Sequence, residues 1–338
     1  MIAGKEGVEK NFSRVILMMM EKIKIVSGRS HPTLARKITQ LLKIPLVPVE
    51  IETFADGEIY ARIKENIRGD DIFVIQSLST PVNEHLMELL IMIDALRRAS
   101  AEKINVVCPY LAYSRQDRKA ASRESITAKL VANLLTKAGA SRILTVDLHA
   151  DQIQGFYDIP VDHFVGYPRF ADYLLRKKYK NMVVVSPDIG GVKRGRKMAG
   201  LMKVPLAVID KRRANHNQSE VVKIIGEVGG KTAIIVDDII DTGGTIIQTT
   251  TALKQKGAKN IILCATHGLL SGNACQRLKD CPASQILLLD TVALPKEKKI
   301  DKIKVITLAP LLAKVIKRIH QGKSLGALFT WEEKEVSL

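Results

Sequence analysis

Short apolar runs alternate with helix-spaced segments twice along this chain, and that rhythm limits its fold more than any other feature. In the first half, runs at residues 22–26, 71–76, 104–108 and 143–146 are interleaved with helical patterns at 33–42, 82–99 and 126–138. In the second half, runs at 182–186, 206–209, 233–236 and 261–265 are interleaved with helical patterns at 168–178, 190–200 and 245–257. Strands joined through helices pair in parallel, because the crossover returns the chain to the same end of the sheet. The sequence therefore predicts an α/β protein with two doubly wound, mostly parallel-sheet domains. Late strands at 286–289 and 303–308 and an amphipathic helix at 311–320 complete the pattern. The expected division is a leader over 1–19, a first domain over 20–166, a second over 167–310, and a C-terminal helix and tail over 311–338. A length of 338 residues suits two domains of ordinary size.

Composition removes several function classes. No apolar run reaches the roughly 18 residues that cross a bilayer, so no membrane partner is expected. The leader lacks the apolar core of a secretory signal and reads as an extension or an overlong start, with Met20 as the alternative first residue. Four cysteines at irregular spacing make neither a disulfide framework nor a zinc site, which fits a reducing cytoplasm. The formal charge of +17 favours a polyanionic partner: nucleic acid, acidic lipid or a phosphorylated small molecule. Aromatic residues, at 4%, do not interleave with the basic ones, which argues against a nucleic-acid platform.

The most informative stretch is Ala233-Ile-Ile-Val-Asp237-Asp238-Ile-Ile-Asp241-Thr242-Gly243-Gly244-Thr245, an apolar strand leading into an acidic, glycine-rich turn and then a helix. The glycines admit close approach of backbone N–H groups to a phosphate. Thr242 and Thr245 add hydroxyl donors, and the helix presents its positive end. No Walker lysine follows, so this is not a nucleoside triphosphate loop of that class. Asp237 and Asp238 are suited to accept hydrogen bonds from vicinal sugar hydroxyls. The residues thus predict a ribose 5-phosphate, its phosphate on Asp241 to Thr245 and its diol on the two acids. The competing reading is a plain acidic turn before a helix N-cap.

Three further segments carry chemistry. Asp147 and His149 follow the strand at 143–146 and suit a metal or a phosphate, although magnesium prefers oxygen ligands. Gly190 and Gly191 precede Lys193, Arg194 and Arg196, which reads either as a cation-lined helix start or as a solvated basic face. Asp210-Lys211-Arg212-Arg213 leads from a strand into a polar stretch, 214–219, expected to form a closing loop.

The segment Asp147-Leu-His149-Ala-Asp-Gln152-Ile-Gln-Gly155-Phe-Tyr157-Asp158-Ile-Pro160-Val-Asp162 resembles the signature of the ribose-phosphate pyrophosphokinases, with Tyr157 where Phe is usual. The turn at 241–245 resembles the loop those enzymes share with phosphoribosyltransferases. The likeness extends over roughly residues 22–329. It implies transfer of the diphosphoryl group of ATP to the C1 hydroxyl of ribose 5-phosphate, with Mg²⁺ as cofactor. It implies catalytic roles for Lys211 and Arg213, with Arg213 also at the ribose 5-phosphate. His149 and Asp188 are implied at the metal, His149 equally at the nucleotide's phosphates. Phe54, Asp56, Gly57 and Glu58, with Arg115, Gln116 and Asp117, are implied around the adenine nucleotide. The Phe54 segment reaches a neighbouring subunit in the family, so the partners implied are ATP, ribose 5-phosphate and further copies of the chain in a hexamer, with no nucleic acid. Arg68, Ser77 and Ser324 are implied at a regulatory anion site. Gly326 stands where a second Ser is common, which predicts weakened activation by phosphate. Ala214 replaces a usual Pro, and Ala121 and Ser125 replace a basic residue and a Pro in the loop after Arg118. The alternatives are a base phosphoribosyltransferase and a non-catalytic regulatory relative that binds nucleotides.

Overall fold

The computed structural model describes residues 23–212 and 221–330. The chain divides into two compact units, one ending at Phe164 and regaining the chain at Ala309, the other spanning Val165–Leu308. The leader at 1–19 and the residues beyond 330 lie outside the described residues.

The first unit runs β1 (Ile23–Ser27), α1 (Pro32–Leu42), β2 (Val49–Thr53), β3 (Ile59–Ile63), β4 (Asp71–Ile75), α2 (Val82–Arg98), β5 (Lys103–Val107), α3 (Thr127–Ala138), β6 (Arg142–Val146) and β7 (Val161–Phe164). Its sheet is fully parallel in the order β1-β4-β5-β6-β7. Ile72 to Ile75 and Ile104 to Val107 are all buried and, apart from Asn105, apolar, because helices cover both faces of such strands. The hairpin β2–β3 stands apart as a two-stranded antiparallel sheet, and β3 lies along α2. Its alternation, Val49-Glu-Ile-Glu-Thr53, is that of a strand with one wet face.

The second unit runs α4 (Tyr167–Arg176), β8 (Met182–Ser186), α5 (Val192–Met202), β9 (Leu206–Arg212), β10 (Val221–Ile225), β11 (Thr232–Ile240), α6 (Gly244–Gln255), β12 (Asn260–Gly268), α7 (Ala274–Asp280), β13 (Gln285–Leu289) and β14 (Ile303–Ile306). Seven strands lie in the order β10-β9-β8-β11-β12-β13-β14, all parallel except β10. Val183, Val185, Ile235, Leu263 and Leu288 form the centre of its core. Burial of each such side chain contributes about 1.5–3 kcal/mol.

The second sheet sets where a site can form. From β8 the chain adds β9 on one side and then β11 on the other, so strand order reverses between β8 and β11. Open α/β sheets bind ligands outside the carboxyl ends of the strands at such a reversal, where the two following loops diverge and leave a crevice. The segments after β8 and β11 are the glycine pair at 190–191 and the turn at 241–245.

After β14 the chain returns to the first unit as α8 (Ala309–His320), which packs on α1, and ends its described part in α9 (Gly326–Thr330). Leu311, Leu312, Val315 and Ile316 are buried along one side of α8, at the spacing of an amphipathic helix. His320 Nδ1 lies 2.7 Å from Asp71 Oδ2, which fixes the end of α8 to the start of β4.

Candidate active site

In the second unit β11 carries Asp237 and Asp238 in its last turn-ward residues and hands the chain to the glycine turn. Arg194 of α5 pairs with both acids, Nη1 at 3.0 Å from Asp237 Oδ1 and Nη2 at 3.1 Å from Asp238 Oδ1. The planar fork of the guanidinium suits two neighbouring carboxylates. Burial, a hydrogen bond shared with the Asp238 carboxyl and the charge of that carboxyl push Asp237 well above the ordinary carboxylate range, while Arg194 and the N–H of Asp238, which donates to Asp237 Oδ1 at 2.9 Å, pull the other way. Of the basic run after Gly191, Arg194 is half-buried and bound to the acids, while Lys193 and Arg196 are exposed.

The turn itself is built by Gly243, whose φ of +76° lies in the left-handed region that glycine adopts without a steric cost. Gly243 is the cap of α6, and the first N–H groups of that helix have no intrahelical acceptor. The carbonyls before it are engaged. Ile240 O accepts from Leu269 N at 2.9 Å and Leu270 N at 3.2 Å, Asp241 O from Ser271 N at 3.0 Å, and Thr242 O from Arg277 Nη1 at 3.0 Å. Thr245 opens α6 beside Gly244. Donors are therefore gathered where an anion is expected, as at other helix starts that hold phosphate.

Asp188 follows β8. Its Oδ1 accepts from Gly191 N at 2.7 Å, and the side chain is exposed. A Cβ on Gly191 would lie 2.9 Å from Ser186 Oγ, so a larger residue there would displace that hydroxyl. Lys211 lies in β9, longer than the expected strand at 206–209, and is paired in register with Val222 of β10. Arg213 and the expected closing loop at 214–219 lie outside the described residues.

In the first unit the implied nucleotide residues stand beyond the carboxyl ends of β5 and β6. Arg115, Gln116, Arg118, Ala120, Glu124 and Ser125 line a cavity of 440 Å³. Gln116 is tied to the start of α3: its side-chain oxygen accepts from Thr127 Oγ1 at 2.6 Å and its backbone carbonyl from Ala128 N at 3.2 Å. Glu124 Oε2 accepts from the N–H groups of Ala120 and Ala121 at 2.7 and 2.9 Å, holding the loop where Ala121 and Ser125 depart from the family pattern. Asp117 Oδ2 accepts from Gln152 Nε2 at 3.4 Å, which links this segment to the one beginning at Asp147. Within that second segment His149 is exposed, whereas Ile153 and Tyr157 are buried and His163 Nε2 accepts from Leu148 N at 2.9 Å. Much of the signature is packing.

The hairpin turn between β2 and β3 holds Phe54, Asp56, Gly57 and Glu58. Phe54 is 49% exposed and stands 6.1 Å, centroid to centroid, from the Tyr60 ring. Asp56 Oδ1 accepts from Glu58 N at 3.1 Å and Gly57 takes φ +96°, so these two residues also build the turn. Behind the hairpin, Arg29 reaches from Glu88, which is fully buried, to Thr53 Oγ1 at 3.1 Å. Neither Arg29 nor Arg194 nor Arg277 stands in the motifs that carry the likeness. Their partners are 43 and 35 residues away for Arg194 and Arg277, and no local pattern marks such pairs.

Of the implied regulatory residues, Arg68 precedes β4 and donates to Ser100 Oγ at 3.1 Å. Ser77 follows the other end of β4 and is fully buried, its N–H donating to Ser30 Oγ at 2.8 Å. Arg68 and Ser77 thus flank opposite ends of β4, a five-residue strand of roughly 17 Å. Ser100 is the hydroxyl beside Arg68. Ser324 Oγ accepts from Gly326 N at 3.1 Å and its carbonyl from Arg318 Nη1 at 2.6 Å.

Comparison with known proteins identifies the family. A sequence profile described as the N-terminal domain of ribose phosphate pyrophosphokinase matches residues 23–139, and one described as the phosphoribosyl synthetase-associated domain matches residues 213–330. The chain is 54% identical over 308 residues to ribose-phosphate pyrophosphokinase of Bacillus caldolyticus, covering 91% of this chain and 98% of the relative. It is 56% identical over 309 residues to that of Caldanaerobacter subterraneus, with the same coverage. The crystal structure of phosphoribosylpyrophosphate synthetase from Mycobacterium smegmatis matches with a TM-score of 0.85 at 44% identity, over 89% of this chain and 99% of that one. With identity above half along nearly the whole length, and a parallel sheet whose strand order reverses beside the glycine turn, the chain belongs to the ribose-phosphate pyrophosphokinase family of enzymes.

Proposed function

We propose that the chain transfers the diphosphoryl group of ATP to the C1 hydroxyl of D-ribose 5-phosphate, giving 5-phospho-α-D-ribose 1-diphosphate and AMP for nucleotide biosynthesis. The observation that carries this reading is the turn 241–245 at the end of β11, with its carbonyls engaged from behind and two acids directly before it. The turn and the start of α6 take the 5-phosphate, and Asp237 and Asp238 take the ribose hydroxyls. The C1 oxygen attacks the β-phosphorus. The bond from that phosphorus to the oxygen bridging it to the α-phosphorus breaks, AMP departs with that oxygen, and the hydroxyl proton passes to solvent. Negative charge spreads over the non-bridging oxygens as the group moves, and Lys211 and Arg213 supply the cations that stabilise it.

ATP takes the 440 Å³ cavity and the exposed ring of Phe54, and it is discriminated through Asp56 and Glu58. Mg²⁺ neutralises the triphosphate when bound. Asp188 fits a role in holding it, since the side chain is exposed and, among the described residues, its Oδ2 takes no hydrogen bond. His149 is the second group. No cluster of three or more ligating side chains occurs among the described residues, which suits a cation that keeps its waters and leans on phosphate oxygens. Ile126, Leu130 and Leu134 are exposed along α3 at a spacing of four, an apolar stripe that supports assembly into a homo-oligomer. Four free cysteines, with burial pushing the Cys108 thiol up to about 12, support a reducing compartment, the cytoplasm.

Release of AMP from ATP is the test, and it should require ribose 5-phosphate. Lys211→Ala should lower kcat by about 10²–10³-fold with little change in the KM for ribose 5-phosphate, the pattern of a donor used in the transition state. Consumption of the diphosphate with a purine or pyrimidine base, without ATP, would instead identify a base phosphoribosyltransferase.

A further inference from the structure

We infer that Arg277, on α7, is a positioning residue that aims the Gly243 N–H at the substrate's phosphate, an inference that rests on the reading of 241–245 as the 5-phosphate site. In a trans peptide the C=O and the following N–H point in opposite directions. Tying down a carbonyl therefore aims the next N–H. Leu269 and Leu270 tie the Ile240 carbonyl, and Ser271 ties that of Asp241, through backbone bonds that belong to the segment after β12. The Thr242 carbonyl is held differently, by a side chain: Arg277 Nη1, at 3.0 Å.

That peptide is the one whose orientation is least secure. It joins Thr242 to Gly243, at φ +76°, with Gly244 next, and glycine occupies either sign of φ at comparable cost. The space beside the Gly243 Cα is open, since a Cβ there would come no nearer than 3.8 Å to Arg277 Cβ and 3.9 Å to Ala274. A turned-over peptide would present the Thr242 oxygen to the phosphate in place of the Gly243 N–H. It would replace a hydrogen bond with repulsion between two acceptors. Arg277 blocks this by keeping the oxygen on the side of α7. Its guanidinium has further N–H donors and a permanent charge, but the geometry assigns it to the carbonyl rather than to the anion directly.

The test compares Arg277→Ala, Arg277→Lys and Arg277→Gln with the parent enzyme, reading KM for each substrate, kcat and the thermal midpoint. Arg277→Ala should raise the KM for ribose 5-phosphate about tenfold, with the KM for ATP within about twofold. Lys and Gln both keep an N–H donor, so both should recover most of the loss. Rescue by Lys alone would show that charge at the anion is what matters, and would overturn the positioning role. A fall in thermal midpoint with equal loss toward both substrates would overturn it as well. Should the Ala variant fail to fold, the comparison of Gln with Lys decides between donor and charge. Gly243→Ala separates this inference from the reading beneath it. If that substitution leaves the ribose 5-phosphate KM unchanged, the turn is not the phosphate site. If it raises that KM while Arg277→Ala does not, the site stands and the role of Arg277 falls.

Discussion

At Tyr157 the chain carries a hydroxyl where its family usually has a bare ring. The side chain is buried, burial pushes the phenol up, and the hydroxyl has no hydrogen-bond partner among the described residues. An unsatisfied buried polar group costs about 1–3 kcal/mol, so Tyr157→Phe is expected to raise the thermal midpoint without altering kcat. A lower midpoint on differential scanning would mean that the hydroxyl is bonded after all. Asp237 gives a second prediction with a definite sign. Its folded pKa lies above the ordinary carboxylate value of about 4, so between those two values the folded chain holds a proton that the unfolded chain has released. Its contribution to stability is present below about pH 4 and is lost as pH rises through the raised pKa. Asp237→Asn should therefore reduce the fall in thermal midpoint between pH 5 and pH 8. An unchanged slope would place the titration elsewhere. The sequence shows Asp237 as one of two adjacent acids; Arg194, 43 residues away, and the degree of burial come only from the packing of α5 on the sheet.

Among elements, those with a strong period were legible and those without were not. β4 and β5 are apolar apart from Asp71, Lys103 and Asn105, β8 is apolar up to Ser186, β11 is apolar from Ala233 to Val236 and β12 from Ile261 to Ala265, and α1, α2 and α3 repeat apolar residues at helical spacing. β10, β7 and α7 are short and carry charge within them, at Lys223, Asp162 and Arg277 with Lys279 and Asp280, so tertiary pairing rather than propensity makes them regular. β10 exists because it pairs with β9, which carries that strand on to Arg212 instead of stopping near Ile209. The hairpin β2–β3 is a different case. Its alternation was visible in Val49 to Thr53, but Asp56-Gly57 reads as any turn until β3 is seen lying along α2 and Arg29 is seen joining Thr53 to the buried Glu88. The turn at 241–245 was legible because its parts are contiguous: strand, acids, glycines and helix start follow one another with no insertion.

For the whole molecule, the chain doubles back. α8, some 270 residues after α1, packs against it, so the first unit is closed by the end of the described chain. The apolar stripe of Ile126, Leu130 and Leu134 is a cost to a lone chain in water and is relieved when another copy covers it. Light scattering should accordingly give a mass of at least twice 37.4 kDa, and a mass equal to one chain would remove the assembly argument. What the sequence determined by itself was the class of fold, the family and the glycine turn at 241–245, because each rests on residues near one another along the chain. What the tertiary structure alone decided was which cations serve which acids and carbonyls. Arg194 meets Asp237 and Asp238, Arg277 meets Thr242, and Arg68 meets Ser100. Such pairs depend on the order of strands in a sheet, and strand order is a property of long-range pairing that no local spacing encodes.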